Sequence, residues 1–255
     1  MNMPDIAPST KREHASEAAF ADNLLLATLP EELRASVRDQ IDIVELKTGD
    51  IVLRRGVDVE SSIFPFGTTM VSMIIDLSDG RSVEVASIGK EGAVGGIVSC
   101  GHAPAFARAE AIVGGPAARL PMRVIEQAKA DSGHLRNLFC RYSDYLLAQI
   151  MQSVVCNSFH PIEQRAARWL LTAQDRAGDR LELTQEALAG LLGVQRTTVN
   201  AVARQLAGDG LITTRRGTIM VENGAALEKL ACECHDRVAH FFDDVIGEGG
   251  LGKQD

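Results

Sequence analysis

The sequence is poor in aromatic residues and has no long apolar run. Phenylalanine, tyrosine and tryptophan make up 4% of the 255 residues, with a single tryptophan, so the core has to be built from aliphatic side chains. No segment reaches the roughly 20 consecutive apolar residues of a membrane-spanning helix, and the N-terminus lacks the apolar stretch of a secretion signal. The sequence therefore predicts a cytoplasmic protein without a membrane partner.

Regular cysteine spacing is also missing. The chain has five cysteines, and an odd number without a framework is typical of a reducing cytoplasm. One interpretation of Cys232 and Cys234, with His235 and His240 nearby, is a metal site or a thiol switch. Both cysteines are expected on one helix, however, where side chains two apart point about half a turn away from each other. The sequence therefore predicts no metal and no cofactor.

Motifs of the common hydrolases, nucleotide-binding loops and zinc proteases do not occur. The six histidines are dispersed, and only His102 falls in the β-rich part of the chain. We therefore predict that the protein is not an enzyme. Two alternatives stay open: a cupin-like metalloenzyme, and a scaffold that uses its helices for contacts with other proteins rather than with DNA.

Charge is unevenly distributed. The net charge is −8, but residues 195–221 contain four arginines and a single acidic residue, Asp209. Nucleic-acid binding depends on the local potential rather than on the net charge. The acidic balance of the whole chain therefore does not exclude DNA binding by this segment.

Residues 184–221 predict a winged helix-turn-helix. Thr184 stands where a helix N-cap is expected, since its hydroxyl can accept from a free backbone N–H. Leu188, Leu191 and Leu192 follow at helical spacing and form one apolar face. Gly193 suits the sharp turn to a second helix, because glycine reaches positive φ without strain.

The second helix is expected to begin near Gln195. Val199, Val202 and Leu206 share its apolar face, and the opposite face is polar and cationic, as a helix in the major groove requires. Two short strands at 211–212 and 219–221 enclose an arginine-bearing turn that is suited to phosphate contacts. The residues predicted to contact DNA are Thr184, Gln195, Arg196, Thr197, Thr198, Asn200, Arg204, Arg215 and Arg216.

This segment resembles the DNA-binding domain of the Crp/Fnr family of bacterial transcription regulators, and the resemblance covers about residues 24–221. Arg196 matches the family's first base-reading arginine, and Thr198 matches its phosphate-contacting hydroxyl. Thr197 and Ala201 replace a glutamate and a second arginine, so a different base sequence is expected. Asn200 is a further candidate reader, since asparagine favours adenine. The resemblance implies double-stranded DNA, a second copy of the chain and RNA polymerase as partners.

Upstream of this domain, helices are expected within residues 21–40 and short strands within residues 41–120. Glycines punctuate the strands, and Ser78-Asp79-Gly80 indicates a hairpin. The segment resembles the β-roll sensor, similar to a cyclic-nucleotide-binding domain, of the same family, and the whole chain is therefore expected to have an α+β fold. The predicted strands are 41–46, 50–53, 71–77, 82–86, 107–113 and 118–120.

Residues 131–159 predict a long helix that is apolar on more than one side. A helix of this kind must bury both sides, and the resemblance implies that one side packs on the sensor and the other on a second subunit. The alternative is an internal core helix of a monomer. The residues predicted for the dimer interface are Leu135, Leu138, Phe139, Tyr142, Leu146, Ile150 and Val154.

The predicted organisation has five parts. A flexible arm covers 1–20, the sensor 21–130, the dimerisation helix and hinge 131–159, the winged domain 160–222, and an extra helix with a tail 223–255. The hinge is expected before Pro161, because proline disfavours α geometry at the residue before it. The extra helix is expected over 225–246, packed on the winged domain or on a partner.

The effector of the sensor is unknown from the sequence. Cyclic-AMP receptors of the family bind the ribose with a Gly-Glu pair and the phosphate with an Arg-Ser pair, and Gly95-Gly96 and Ala103-Pro104 stand at those places. The sequence therefore disfavours a cyclic nucleotide, unless Arg108 replaces the missing arginine. No cysteine precedes Cys100, which excludes the family's N-terminal iron–sulfur cluster, and Cys100 with His102 is weak evidence for haem.

Overall fold

A computed structural model describes residues 9–96 and 104–247 of the chain. Helices and strands are both abundant, and the order of elements confirms the predicted α+β class: a β-rich domain, a long helix and a helical domain with a small sheet. Within the described residues, no helix is long and apolar enough to cross a membrane.

Three helices precede the first strand: α1 (Ser9–Asp22), α2 (Leu24–Ala27) and α3 (Glu31–Arg38). Helix α1 begins inside the stretch that the sequence assigns to a flexible arm, and Phe20 is only 1% exposed. The boundary predicted at residue 20 is thus too late. Asn23 caps α2 and donates to the carbonyl oxygens of Pro65 and Gly92, both at 2.8 Å, which ties these helices to the sheets.

Within the described residues, seven strands form two antiparallel sheets that face each other as a roll. One sheet has the order β1-β7-β3 and the other the order β2-β6-β4-β5. Ile63, Val71 and Ile88 belong to the aliphatic core between them, as the scarcity of aromatic residues requires. The strands are β1 (Asp42–Leu46), β2 (Ile51–Leu53), β3 (Ser61–Pro65), β4 (Met70–Asp76), β5 (Ser82–Ile88), β6 (Arg108–Val113) and β7 (Gly115–Pro121).

Two helices follow the roll: α4 (Met122–Asp131) and α5 (Gly133–Phe159). The Ser132 hydroxyl caps α5 by accepting from the N–H of Leu135. The helix ends at Phe159, and His160 is extended, with φ −100° and ψ 139°, as Pro161 demands. On the roll side, the Tyr142 hydroxyl donates to the carbonyl of Ala93 and accepts from its N–H.

The structure corrects the dimer interface predicted on α5 at four positions. Leu135, Leu138, Phe139 and Tyr142 are at most 5% exposed in a single chain, because they pack in the core that α5 shares with the roll. They have no surface left for a second chain to bury. Two further predicted residues, Leu146 and Ile150, are half-buried, whereas Val154 is exposed.

The winged domain begins with α6 (Ile162–Ala177), which carries Trp169 into its core. Strand β8 (Arg180–Leu181), absent from the sequence prediction, pairs with β10 and completes a three-stranded sheet of order β8-β10-β9. The remaining elements of the domain are α7 (Gln185–Leu192), α8 (Arg196–Gly208), β9 (Ile212–Arg215) and β10 (Thr218–Val221).

The single C-terminal helix predicted over 225–246 is wrong. The chain forms α9 (Gly224–Leu230) and α10 (Cys234–Val245), and the backbone at Ala231 is extended between them. Helix α9 packs on α6 of the winged domain, whereas α10 packs on α5. Phe242 of α10 meets Tyr145 of α5 edge to face, with ring centroids 5.0 Å apart.

Candidate nucleic-acid interface

Helix α7 and the turn after it are built by local sequence. The Thr184 hydroxyl accepts from the N–H of Ala187 at 3.0 Å, which satisfies one of the free donors at the helix start. Gly193 ends α7 in the left-handed region, with φ 66° and ψ 34°. A side chain there would be strained, so glycine sets the angle at which the chain enters α8.

Helix α8 has a buried face and an exposed face. Val199, Val202 and Leu206 are at most 4% exposed, and they fix the helix on the core of the winged domain. The opposite face contains those residues predicted to contact DNA that belong to α8 or to its N-cap. Of these, Gln195, Arg196, Thr197 and Arg204 are exposed, and Thr198 and Asn200 are half-exposed.

Strands β9 and β10 form the wing. Thr218 pairs with Arg215, and Gly217 closes the turn with a φ of 75°. Arg215 and Arg216 lie at the tip with their side chains in solvent. Among the described residues, no carboxylate lies within ion-pair distance of either guanidinium, so both are available to bind phosphate.

A groove separates the wing from the start of α8. Thr184, Arg196, Arg215 and Arg216 all line it. The structure therefore brings together four of the nine predicted residues, contributed by the cap of α7, the start of α8 and the wing. Glu186 also lines the groove, and its carboxylate lies 3.5 Å from the Arg196 guanidinium. An exposed pair of this kind is weak and easily exchanged for a base or a phosphate.

Arg180 is a cation near the wing that the sequence prediction missed. It lies on β8, opposite Met220, and lines the outer side of the wing with Arg215 and Arg216. Its signal in the sequence is weak, because a two-residue strand has no periodicity to detect. The cationic surface is consequently wider than residues 195–221.

In the roll, the position expected for the ribose-binding glutamate is Gly96, where a side chain would be strained and would displace the end of Met122. A Cβ on Gly96 would lie 2.1 Å from the Met122 sulfur, and Gly96 has a φ of 65°. Pro104 forms a bridge with Asp58. Ala103, Cys100 and His102 lie outside the described residues.

Arg108, the possible substitute phosphate ligand, is already paired. Its guanidinium donates to both carboxylate oxygens of Asp76 at 2.9 Å, and it also contacts Glu110. The pKa of Arg108 is raised, chiefly by the hydrogen bond to Asp76. The neighbouring residue Ala109 belongs to the core inside the roll, so Arg108 faces the other side of the sheet.

The sequence pattern predicts Cys232 and Cys234 on one helix, with their side chains half a turn apart. That expectation is wrong. Cys232 lies in the break before α10 and Cys234 is the first residue of that helix. Both thiols therefore point toward the same cluster of side chains. There they meet Cys156 of α5 and His160 of the hinge, two residues that the sequence prediction overlooked. His235 pairs instead with Asp175, at 3.4 Å.

Comparisons with known proteins agree with this architecture. The family model described as a Crp-like helix-turn-helix domain matches residues 164–230. No curated protein matches the chain. FixK2 from Bradyrhizobium japonicum has a similar structure, with a TM-score of 0.64 and 18% identity over 75% of this chain and 98% of that one.

Two further solved structures are similar. One, a putative transcriptional regulator of the Crp/Fnr family from Eubacterium rectale, has a TM-score of 0.59 and 18% identity over 81% of this chain and 96% of that one. The other, a putative cAMP-binding regulatory protein from Silicibacter pomeroyi, has a TM-score of 0.58 and 17% identity over 87% of this chain and 99% of that one. At these identities the likeness establishes the fold.

Proposed function

We propose that this chain, which has the fold and the DNA-binding domain of the Crp/Fnr regulators, controls transcription by binding a specific DNA sequence. The observation that carries the proposal is the groove between α8 and the wing, where Arg196, Arg215 and Arg216 meet. A polar helix face can read base edges in the major groove while the wing binds phosphates. The proteins of similar structure are described as regulators, which supports this function over an enzyme.

The protein binds DNA as a homodimer. One face of α5 is covered by its own roll and by α10, but the opposite face is apolar and open: Leu147, Met151 and Val154 are 49%, 57% and 61% exposed. Their spacing of four and three residues is that of a helix–helix seam. A two-fold axis along this seam makes the DNA site an inverted repeat, with half-site centres about 34–36 Å apart.

The sensor does not bind cyclic AMP or cyclic GMP. Desolvating the cyclic phosphate requires fixed donors and a positive charge. The Met122 side chain fills the space beside Gly96, and Arg108 is neutralised by Asp76 and Glu110. DNA binding is therefore independent of either nucleotide.

Selection of DNA sequences from a random library by the full-length protein tests the function. We expect an inverted repeat with one helical turn between half-site centres, bound equally well with and without cyclic nucleotide. Enrichment of no sequence would contradict DNA recognition and favour the scaffold alternative. Calorimetry that measures micromolar affinity for either nucleotide, lost in Arg108→Ala, would contradict the assignment of the sensor.

A further inference from the structure

Four potential metal ligands meet where the long helix, the hinge and the C-terminal helix come together. Cys156, His160, Cys232 and Cys234 each offer one ligand atom, and these atoms all lie within 4.8 Å of one another. Cys156 and Cys232 are 76 residues apart along the chain. The three thiols are buried, and His160 is half-buried.

The distances suit one tetrahedral ion. Zinc–sulfur bonds of about 2.3 Å place neighbouring sulfurs about 3.8 Å apart, and a zinc–nitrogen bond of about 2.1 Å places the nitrogen about 3.6 Å from a sulfur. The Cys156 and Cys232 sulfurs are 3.6 Å apart. The Nδ1 atom of His160 lies 3.4 Å from the Cys234 sulfur.

Polar and cationic side chains surround the cluster. The Gln152 amide donates to the Cys234 sulfur at 3.0 Å, as an outer-shell partner does for a metal ligand. Arg165 and Arg168 of α6 interact electrostatically with Cys156, and the buried Nε of each has no hydrogen-bond partner. Three thiolates and one Zn²⁺ carry a net charge of about −1, which these guanidinium groups offset.

We propose that Cys156, His160, Cys232 and Cys234 bind a structural zinc ion that fastens the C-terminal helix to the hinge. Three cysteines and one histidine are a common ligand set of closed zinc sites. A disulfide between Cys156 and Cys232 explains only two of the four residues. It leaves Cys234, His160 and the two unpaired guanidinium nitrogens without a reason to converge.

The site also reaches the DNA-binding helices. Arg165, next to the cluster, donates through its Nη2 to the carbonyl of Leu192, the last residue of α7. The ion thus lies one side chain away from the turn that positions α8. Zinc binding by these four residues stabilises the fold of the chain and does not depend on whether the chain recognises DNA.

Metal analysis of the full-length protein, purified with a thiol reductant and without chelator, tests the proposal. We expect about one zinc per chain in the wild type. Cys156→Ser, Cys232→Ser and the double variant should lose most of it. The matched control is Cys140→Ser, because Cys140 is an exposed cysteine on the same helix and should leave the zinc content unchanged.

Cobalt substitution keeps the test valid even where a variant fails to fold. Co²⁺ in the wild-type protein should give the intense visible bands of a tetrahedral thiolate site, and zinc should displace it. Absence of these bands together with substoichiometric zinc would overturn the proposal. So would a Cys156–Cys232 disulfide in protein isolated without reductant, or iron with sulfide in place of zinc.

Discussion

Arg196 and Arg215 line the same groove but are expected to contact different parts of DNA. Arg196 begins α8, where its guanidinium can make two hydrogen bonds to a guanine. Arg196→Ala should cost about 1–3 kcal/mol on the selected site and relax one base position in each half-site. Gel shifts on matched and single-substituted sites measure both effects.

Arg215 lies at the tip of the wing and is expected to contact phosphate. Arg215→Ala should weaken all sequences alike and reduce the slope of log affinity against log salt by about 1. Arg119→Ala, at a half-exposed arginine on the roll, is the control that should change neither. Unchanged affinity of Arg196→Ala for its selected site would mean that α8 is not the reading helix.

Glu84 of β5 is half-buried, and its carboxyl lies at the contact between the roll and α6. Its Oε1 accepts from the Trp169 indole N–H at 3.0 Å, and its Oε2 pairs with the Ser72 hydroxyl. Burial raises the pKa of Glu84, against the lowering effect of these hydrogen bonds. The folded protein therefore keeps the proton at pH values where the unfolded chain has released it.

The sign of the pH dependence follows from this difference. The stability contributed by protonated Glu84 is complete below the unfolded pKa of about 4.3 and is lost as the pH rises through the folded pKa. Glu84→Gln mimics the protonated carboxyl and keeps both hydrogen bonds. Its stability relative to the wild type should therefore rise over the same pH range, as measured by urea unfolding with Trp169 fluorescence.

Glu84→Leu is the informative contrast. It removes the acceptor and leaves the buried indole N–H unpaired, which should cost about 1–3 kcal/mol relative to Glu84→Gln at any pH, since neither side chain titrates. Equal stability of Glu84→Gln and wild type from pH 4 to pH 8 would show that the carboxyl does not hold a proton in the folded state.

At the scale of elements, helix α5 has one face buried against its own chain and an opposite apolar face that is exposed. The face toward the roll is already buried, so the exposed seam should be the one that dimerises. Leu147→Glu or Val154→Glu should place a charge in the closed interface and dissociate the dimer, because an unpaired buried charge costs several kcal/mol. Light scattering at micromolar concentration measures the change.

Val57→Glu is the matched control for this prediction. Val57 is 54% exposed on the roll, so the same charge there should leave the dimer intact. A wild-type monomer at micromolar concentration, with or without DNA, would rule out the seam. Glutamate at Leu146 is a poorer test, because Leu146 packs against the core of its own chain.

Much of the element order could be predicted from the sequence, and the failures have physical reasons. Gly193 and Pro161 act on their own neighbours, so the turn and the end of α5 were predictable. The strand Ser61–Pro65 is buried at four of its five residues and contains a proline, so it lacks the alternation that marks a strand. A two-sided apolar helix such as α5 does not reveal which side meets its own roll.

The two candidate sites differ in how far apart their residues lie along the chain, and this decides whether the sequence could predict them. The residues predicted to contact DNA lie on contiguous elements, so helical spacing alone places most of them on one exposed helix face. The thiol cluster depends on an extended backbone at Ala231 and on tertiary packing that joins Cys156 to Cys232. Local spacing predicts one continuous helix there, and no periodicity connects residues so far apart along the chain.

At the scale of the whole molecule, the roll and the winged domain share a core. Met70, Ile74 and Ile112 of the roll belong to the same hydrophobic cluster as Trp169 and its neighbours. The turn at Gly193 also lies against Val83 of β5. Because neither domain buries its apolar surface alone, we expect calorimetry of the wild type to record one cooperative unfolding transition.

A buried ion pair strengthens this junction. Arg176 of α6 lies 2.6 Å from the Glu91 carboxylate of the roll, and the two side chains are 11% and 12% exposed. Glu91→Gln preserves the shape but leaves the guanidinium buried without a negative partner. The loss should be about 3–5 kcal/mol, and the roll and the winged domain should then unfold in separate transitions.

Glu182→Gln is the control for that variant. It removes the charge from an exposed pair in which Arg180 and Glu182 are 3.7 Å apart, and it should cost less than about 1 kcal/mol while preserving the single transition. All three proteins are compared at one concentration, because the proposed dimerisation would make the melting temperature concentration-dependent. If Glu91→Gln also melts in one transition at the wild-type temperature, the ion pair does not couple the domains, and the shared apolar cluster alone holds them together.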